Sequence, residues 1–125
     1  MITEDYVSFE TAKLLKEKGF DELCHGYFRK DNPNDLVELA QAANWNDEPF
    51  FTSRPTLQMA MKWLRKEKGI AVIPIISSIL DFEKFLWDVK IVVAKTGDSY
   101  SQGWVYEKQE NACEAAIKYC LENLI

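Results

Sequence analysis

The chain has 125 residues, of which 47% are hydrophobic and 28% charged, with a formal net charge of −5. The length suits one domain with its own core, and the residue balance is globular rather than disordered. The negative charge argues against a general coat for nucleic acids or anionic membranes, because both need a surplus of Lys and Arg.

Compartment and redox state follow from what the sequence lacks. No apolar run approaches the roughly 18 residues that cross a bilayer, and the acidic start MITEDYVSFE is unlike a signal peptide. We therefore expect a cytosolic protein that does not enter membranes. Cys113 and Cys120 stand seven residues apart on a predicted helix, which places their Cα atoms roughly 10 Å apart, too far for a disulfide. We expect all three cysteines to be reduced, and the two on the helix to be buried.

The first predicted element is a helix from Phe9 to Lys18. Ser8 provides its N-cap and Gly19 a left-handed C-cap. A short strand is predicted over Cys24 to Phe28, and the run KDNPND, from Lys30 to Asp35, is typical of a turn.

The segment from Leu36 to Ala43 is ambiguous. Its apolar spacing fits a helix capped by Asp35, but it also fits a strand that pairs back on Cys24 to Phe28. Trp45 to Glu48 is predicted to be a loop, and Phe50 to Thr52 a brief strand.

A second helix is predicted over residues 55–68, beginning at Ser53 or Arg54 with Pro55 in its first turn. One face of this helix is an apolar stripe at helical spacing, formed by Leu57, Ala60, Met61 and Leu64. The opposite face carries Gln58, Lys62, Arg65 and Lys66. Gly69 is expected to end the helix.

A three-stranded antiparallel meander follows. Its strands are predicted at Ile70 to Ile76, Lys84 to Ala94 and Gly103 to Glu107, the last with Trp104 and Tyr106 on one face. The proline in the first of these strands suggests a sheet edge or a bulge.

The last helix is predicted from Glu110 to Asn123. Its buried side consists of Cys113, Ala116, Ile117, Cys120, Leu121 and Leu124. The predicted class is α+β: one domain over residues 1–125, with an antiparallel sheet made of the C-terminal meander and one or two N-terminal strands, and about three helices packed on it.

Catalytic and metal-binding motifs are sparse. His25 is the only histidine, and although Cys24 precedes it, adjacent strand residues point to opposite faces and cannot form a Cys–His dyad. The cysteine spacings match no zinc pattern, and the glycines are too isolated to cradle a phosphate. We therefore predict no cofactor.

One carboxylate pattern suggests an enzyme. Asp88 and Lys90 lie on the predicted polar face of a strand, with Asp81 upstream, which resembles the loose arrangement of metal-dependent nucleases. In such sites the acids hold Mg²⁺ and the lysine steadies the attacking water or the phosphate. A solvated strand face with alternating charges explains the same residues without a function.

The candidate binding residues are basic or aromatic: Trp45, Arg54, Lys62, Trp63, Arg65 and Lys66. The cations form the one basic region of the chain, which suits an acidic partner or a nucleic-acid backbone, although a solvated helix face looks the same. Trp45 is either a lid on the core or an exposed anchor. Trp63 falls near 240° from Leu57 on a helical wheel, so we expect it at the rim of the interface with its indole edge in solvent.

Four segments of the chain resemble a known group of proteins. These segments are residues 4–10, 14–21, 53–65 (SRPTLQMAMKWLR) and 114–125 (EAAIKYCLENLI). They are similar to small proteins of Bacteroides-type gut bacteria that are described as phage-related or mobile-element proteins. The resemblance covers most of the chain outside Asn32 to Asn46. It implies a bacterial, cytosolic, mobile-element context, and it implies no activity, cofactor or site residue.

The leading prediction is a non-enzymatic binding module with a protein partner, existing as a monomer or a homodimer. Its basis is the absence of a convergent catalytic set together with many aromatic residues. The alternatives are a divalent-metal nuclease or phosphoesterase using Asp81, Asp88 and Lys90, and a nucleic-acid binder using the basic face of the helix 55–68.

Overall fold

The computed structural model describes residues 1–82, 84–101, 103 and 105–125, and within them the chain is a mixed α+β protein. It separates into two compact units, residues 1–60 and 61–125. The expectation of a single domain over residues 1–125 stays a prediction. None of the helices in the described part of the chain is long and apolar enough to span a bilayer.

The first unit begins with helix α1 (Phe9–Glu17), as the sequence predicts. The Ser8 side chain accepts a hydrogen bond from the Thr11 amide at 3.2 Å, which satisfies one of the free amides of the first turn. Gly19 has φ +93° and lets the chain reverse, so that the Phe20 amide donates to the Leu15 carbonyl at 2.9 Å. Leu15 and Phe20 are both buried.

Three antiparallel strands complete the first unit: β1 (Cys24–Arg29), β2 (Leu36–Ala43) and β3 (Phe51–Arg54), in the order β2-β1-β3. The ambiguous segment is thus a strand, and Leu36 pairs with Phe28. Helix α1 packs on β3, and a short 3₁₀ helix (Trp45–Asp47) precedes that strand.

The turn before β2 explains why the strand alternative prevails there. Lys30 and Asp31 both have φ of 54°, which reverses the chain tightly. Asp35, the proposed helix cap, instead forms an ion pair with Arg29 at 2.8 Å and so fixes the start of the hairpin.

Helix α2 (Leu57–Trp63) begins later than predicted, because Ser53 and Arg54 belong to β3. The Thr56 hydroxyl accepts from the Met59 amide at 3.1 Å and takes the capping role. The helix continues as a π-helical segment (Leu64–Lys68), and Gly69 ends it with φ +65°, as predicted.

The second sheet is β4 (Ile70–Ile79), β5 (Phe85–Val93) and β6 (Ser99–Ser101), in the order β4-β5-β6. The described strands therefore form two three-stranded sheets rather than one. The third strand is misplaced by the sequence prediction, because β6 lies upstream of Gly103; of the described residues from Gly103 to Glu107, Tyr106 alone bridges to β5, opposite Trp87. Trp104 lies outside the described residues.

Helix α3 (Gln109–Asn123) packs on β4 and β5, and the five residues from Cys113 to Leu121 predicted to form its buried side are buried. Leu124 is only half-buried. The core of this unit contains the helical Ile117, Cys120 and Leu121 and the strand residues Val89 and Ile91, all with essentially no exposed surface.

The proline of β4 lies at an edge of the sheet, as predicted. The Gly69 carbonyl accepts a hydrogen bond from the Ala94 amide at 2.9 Å. Along an antiparallel strand the backbone groups of successive residues point alternately toward and away from the neighbouring strand, so this bond shows which residues of β4 point toward β5. By that alternation the missing N–H of Pro74 faces away from β5, where no partner strand needs it. A register shift follows between Ile76 and Ser78.

Two isoleucines of the second unit should respond very differently to truncation. Ile117→Ala removes a fully buried side chain and should lower the free energy of unfolding by about 2–5 kcal/mol. Ile79→Ala removes a side chain that is 69% exposed and should change it by less than about 0.5 kcal/mol. Urea titration measures both values, and equal losses would contradict the described core.

Candidate functional site

The three residues of the nuclease hypothesis do not come together. Asp88 is only 7% exposed, and its carboxylate accepts hydrogen bonds from the Val89 amide at 2.7 Å and the Ser101 hydroxyl at 3.1 Å. Asp81 lies in the turn before β5 while Asp88 is the fourth residue of that strand, so they are separated by roughly 10 Å or more. Lys90 is exposed. The prediction that Asp88 lies on a solvated polar face is wrong, because its carboxylate ties β5 to β6.

A metal centre is not apparent elsewhere either. Within the part of the chain that the structure describes, no group of three or more His, Cys, Asp or Glu side chains could hold a metal ion.

The basic face of the second helix is present but smaller than predicted. Lys62, Arg65 and Lys66 are exposed, as the helical wheel indicates. Arg54 does not belong to this face, because it lies in β3.

Trp63 does not lie at the rim, and the prediction of an indole edge in solvent is wrong. Its side chain is 3% exposed. The buried stripe is centred within about 10° of Leu57 on the helical wheel, so the angular position of Trp63 does not by itself account for the burial of the indole. The Lys68 ammonium lies 5.5 Å from the centre of the indole ring. Cation and aromatic are adjacent, but the ring is not available to a ligand.

Arg54 instead holds a small cluster on the first unit. Its guanidinium carbon lies 3.9 Å from the centre of the Tyr6 ring, a close cation–π contact. The Tyr6 hydroxyl donates to the Glu38 carboxylate at 3.3 Å. Partial burial, and secondly the Glu38 charge, raise the pKa of Tyr6. These contacts join β2 and β3 to the N-terminal segment.

Trp45 is a lid on the core rather than an exposed anchor. Its indole N–H donates to the Cys24 carbonyl at 2.6 Å, and its ring centre lies 4.4 Å from that of Tyr27. Phe51 completes the cluster at 4.6 Å from Tyr27. A half-buried Trp whose only polar atom is engaged has a structural role.

Cys24 and His25 point to opposite faces of β1, as predicted. Cys24 is buried, whereas His25 is exposed and its Nδ1 lies 3.1 Å from the Leu39 carbonyl oxygen. They cannot act as a nucleophile and base. All three cysteines are buried and outside any disulfide, which confirms the expectation for Cys113 and Cys120.

Burial also makes the thiols unreactive. It is the main cause that raises the pKa of Cys24 and the pKa of Cys120 to about 12, with a smaller contribution from the Glu22 carboxylate to the pKa of Cys24. A thiol with so high a pKa carries almost no thiolate at neutral pH, so neither residue is a catalytic nucleophile.

The most unusual surface lies at the end of the β4–β5 hairpin, which we call the distal hairpin (residues 75–82 and 84–86). Its exposed apolar side chains are Ile75, Ile76, Ile79, Leu80, Phe82 and Phe85. Ile75 and Ile76 are adjacent in a strand and therefore point to opposite faces. Both side chains are exposed, at 37% and 48%, although the partner of Ile75 across the ribbon, Asp88, is buried.

A groove of about 370 Å³ lies beside the distal hairpin. It is lined by Leu80, Lys84, Phe85, Trp87, Glu107 and Lys108. Phe85 and Trp87 form an edge-to-face pair with ring centres 6.0 Å apart, which makes an aromatic wall. Lys84 and Lys108 place two cations against the single acid Glu107.

Sequence reasoning missed this site, because its sequence pattern is ambiguous. No charged residue occurs between Gly69 and Leu80, in a chain of which 28% is charged. Such a run normally indicates a strand buried on both faces. The structure shows instead that the side chains from Ile75 to Leu80 are exposed.

The chain finds no match among protein-family models, curated proteins or solved structures.

Replacing Trp63 should test whether it belongs to the core. Trp63→Ala should lower the free energy of unfolding by about 3–5 kcal/mol, because the indole is buried. Lys62→Glu with Lys66→Glu should change it by less than about 0.5 kcal/mol per substitution, because both side chains are exposed. Chemical denaturation measures both, and a neutral Trp63→Ala would contradict its burial.

The buried thiols predict a decline of stability in alkaline solution. Between pH 9 and 12 the folded protein keeps the thiol protons of Cys24 and Cys120 that the unfolded chain releases. The unfolded state then binds fewer protons, so this contribution to stability is complete below about pH 9 and is lost as the pH rises.

The measurement is the free energy of unfolding of the wild type and of a Cys24→Ala, Cys120→Ala variant across this pH range. The wild type should fall more steeply than the variant. Parallel curves, or rapid labelling of the native thiols at neutral pH, would refute their burial.

Proposed function

We propose that this protein is a non-enzymatic binding module that contacts a partner protein through the distal hairpin. The observation that carries the proposal is the concentration of six exposed apolar side chains between Ile75 and Phe85 at the end of the hairpin. Monomeric proteins rarely expose large contiguous apolar surface, and such patches commonly mark interaction sites.

Stability supports the same interpretation. A two-stranded ribbon without a third strand or a packed helix is at best marginally stable in water. Strand β6 pairs with β5 from Lys90 to Val92, and Tyr106 bridges to Trp87, so among the described residues this third-strand pairing ends at Trp87 and does not reach Phe85 or Leu86 in the distal hairpin. Covering the apolar side chains with a partner would remove this deficit, because buried apolar surface contributes about 25 cal/mol per Å².

The free edge of β4 favours contact through side chains rather than addition of a strand. Pro74 lacks an outward donor, and the register shift near Ser77 interrupts the regular spacing of backbone groups. Both features discourage edge-to-edge pairing. The apolar faces of the ribbon carry no comparable obstacle.

The alternative functions receive less support. Asp88 is engaged within the sheet, so the nuclease hypothesis lacks an available acid at its centre. Nucleic-acid binding through Lys62, Arg65 and Lys66 stays a prediction that no described contact favours. The cytosolic location and the bacterial mobile-element context also remain proposals, which are compatible with an accessory protein that acts by binding.

The test compares two matched double variants in pull-downs from the native host. Ile79→Ser with Phe82→Ser removes one aliphatic and one aromatic side chain from the distal hairpin. Leu39→Ser with Phe50→Ser removes an equivalent exposed pair from the first unit. The first variant should co-purify at least about tenfold less of the partner, which corresponds to 1.4 kcal/mol of binding free energy. The second variant should retain the partner.

Three outcomes would contradict the proposal. They are equal retention of the partner by the two variants, loss of the partner by the Lys62→Glu, Lys66→Glu variant instead, and hydrolysis of nucleic acid by the protein with Mg²⁺. Circular dichroism of each variant checks that the fold is retained.

A further inference from the structure

The turn of the distal hairpin presents an aromatic side chain beside an acid. Phe82 is fully exposed, and Asp81 next to it is exposed as well. A Phe in this setting gains from burial only if its environment also accepts negative charge.

The groove beside the hairpin offers such an environment. Its aromatic wall, Phe85 and Trp87, suits a phenyl ring, and ring pairs of this kind contribute beyond the area they bury. Its two lysines, Lys84 and Lys108, give the lining a net positive charge despite Glu107. The tip and the groove are therefore complementary in both polarity and charge.

The tip does not occupy the groove of its own chain. Phe82 is fully exposed, although Leu80 and Phe85 in the groove lining are only two and three residues away. A second chain that approaches tip to tip about a two-fold axis can place its Phe82 in the groove of the first chain. Its own groove then receives the Phe82 of the first chain. Such an interface is isologous, with each contact made twice, and it closes at a dimer.

We propose that a second copy of this chain docks on the distal hairpin, with Phe82 of each copy inserted into the groove of the other. This inference rests on the proposed function, since it assumes that the distal hairpin is a binding surface. The apolar insertion provides the affinity. The acidic tip against Lys84 and Lys108 orients the two copies, because exposed ion pairs add specificity more than strength.

Sedimentation velocity over a wide concentration series tests the insertion. The wild type should show a reversible monomer–dimer equilibrium. Phe82→Ala should raise the dissociation constant at least about tenfold, which corresponds to 1.4 kcal/mol. Phe50→Ala is the matched control, because Phe50 is 72% exposed in the first unit, and it should leave the constant unchanged.

A charge-reversal series tests the orientation. Lys84→Glu with Lys108→Glu should weaken the dimer, and adding Asp81→Lys should restore part of the affinity. The control, Lys62→Glu with Lys66→Glu, makes the same change in net charge on exposed side chains elsewhere and should have no effect. All substituted side chains are exposed, so the fold should be retained.

The results separate this inference from the proposed function. A wild type that stays monomeric at every concentration, or equal effects of Phe82→Ala and Phe50→Ala, overturns the dimer. If the Ile79→Ser, Phe82→Ser variant fails to co-purify a different protein that the wild type retains, the distal hairpin binds that protein and the proposed function survives. If neither the dimer nor any other partner depends on the hairpin, both proposals fail.

Discussion

The packing of α3 on one end of the second sheet is the constraint on which the rest of this unit depends. The helix has 15 residues and spans about 22 Å, whereas the ten residues of β4 extend over about 33 Å. A helix of this length cannot cover the whole hairpin. The buried residues Ile70, Val72, Val89 and Ile91 mark the end that it covers, and α3 itself contributes a continuous apolar stripe to the same core.

The uncovered end of the hairpin is where binding can occur. Its two strands stay paired beyond the core, yet their isoleucines and phenylalanines remain exposed. Pro74 and the register shift after Ile76 protect the β4 edge from adding further strands, so the exposed surface consists of side chains above and below the ribbon. The aromatic groove adds shape and charge to this surface. Local instability and exposed apolar area thus occur in one segment, which is the expected condition of a site that becomes ordered by its partner.

Local signals allowed most elements to be predicted, because caps, glycines and periodicity act over a few residues. Ser8, Gly19 and Gly69 bound their helices where the sequence indicates. The errors concern tertiary context. Asp88 occupies a position that alternation assigns to solvent, yet a hydroxyl from β6 and its own neighbour's amide engage it. The distal hairpin could not be found from its composition, because an uncharged strand has the same sequence pattern whether it is buried or exposed.

Hydrogen–deuterium exchange along β4 and β5 tests most directly whether the distal hairpin lacks support in the free protein. The Leu80 amide donates to the Lys84 carbonyl at 2.9 Å, and the Ala94 amide at the other end of the hairpin donates to Gly69 at the same distance. The two hydrogen bonds are equal in length and both Leu80 and Ala94 are exposed, but Gly69 directly precedes the buried Ile70, whereas Leu80 lies beyond the core. In dilute protein Leu80 should exchange at least about a hundredfold faster than Ala94, because it opens without disturbing the core. Its protection should rise as the concentration increases or a partner is added. Equal, strong protection of both amides in dilute protein would show that the hairpin is stable without a partner and would contradict the account.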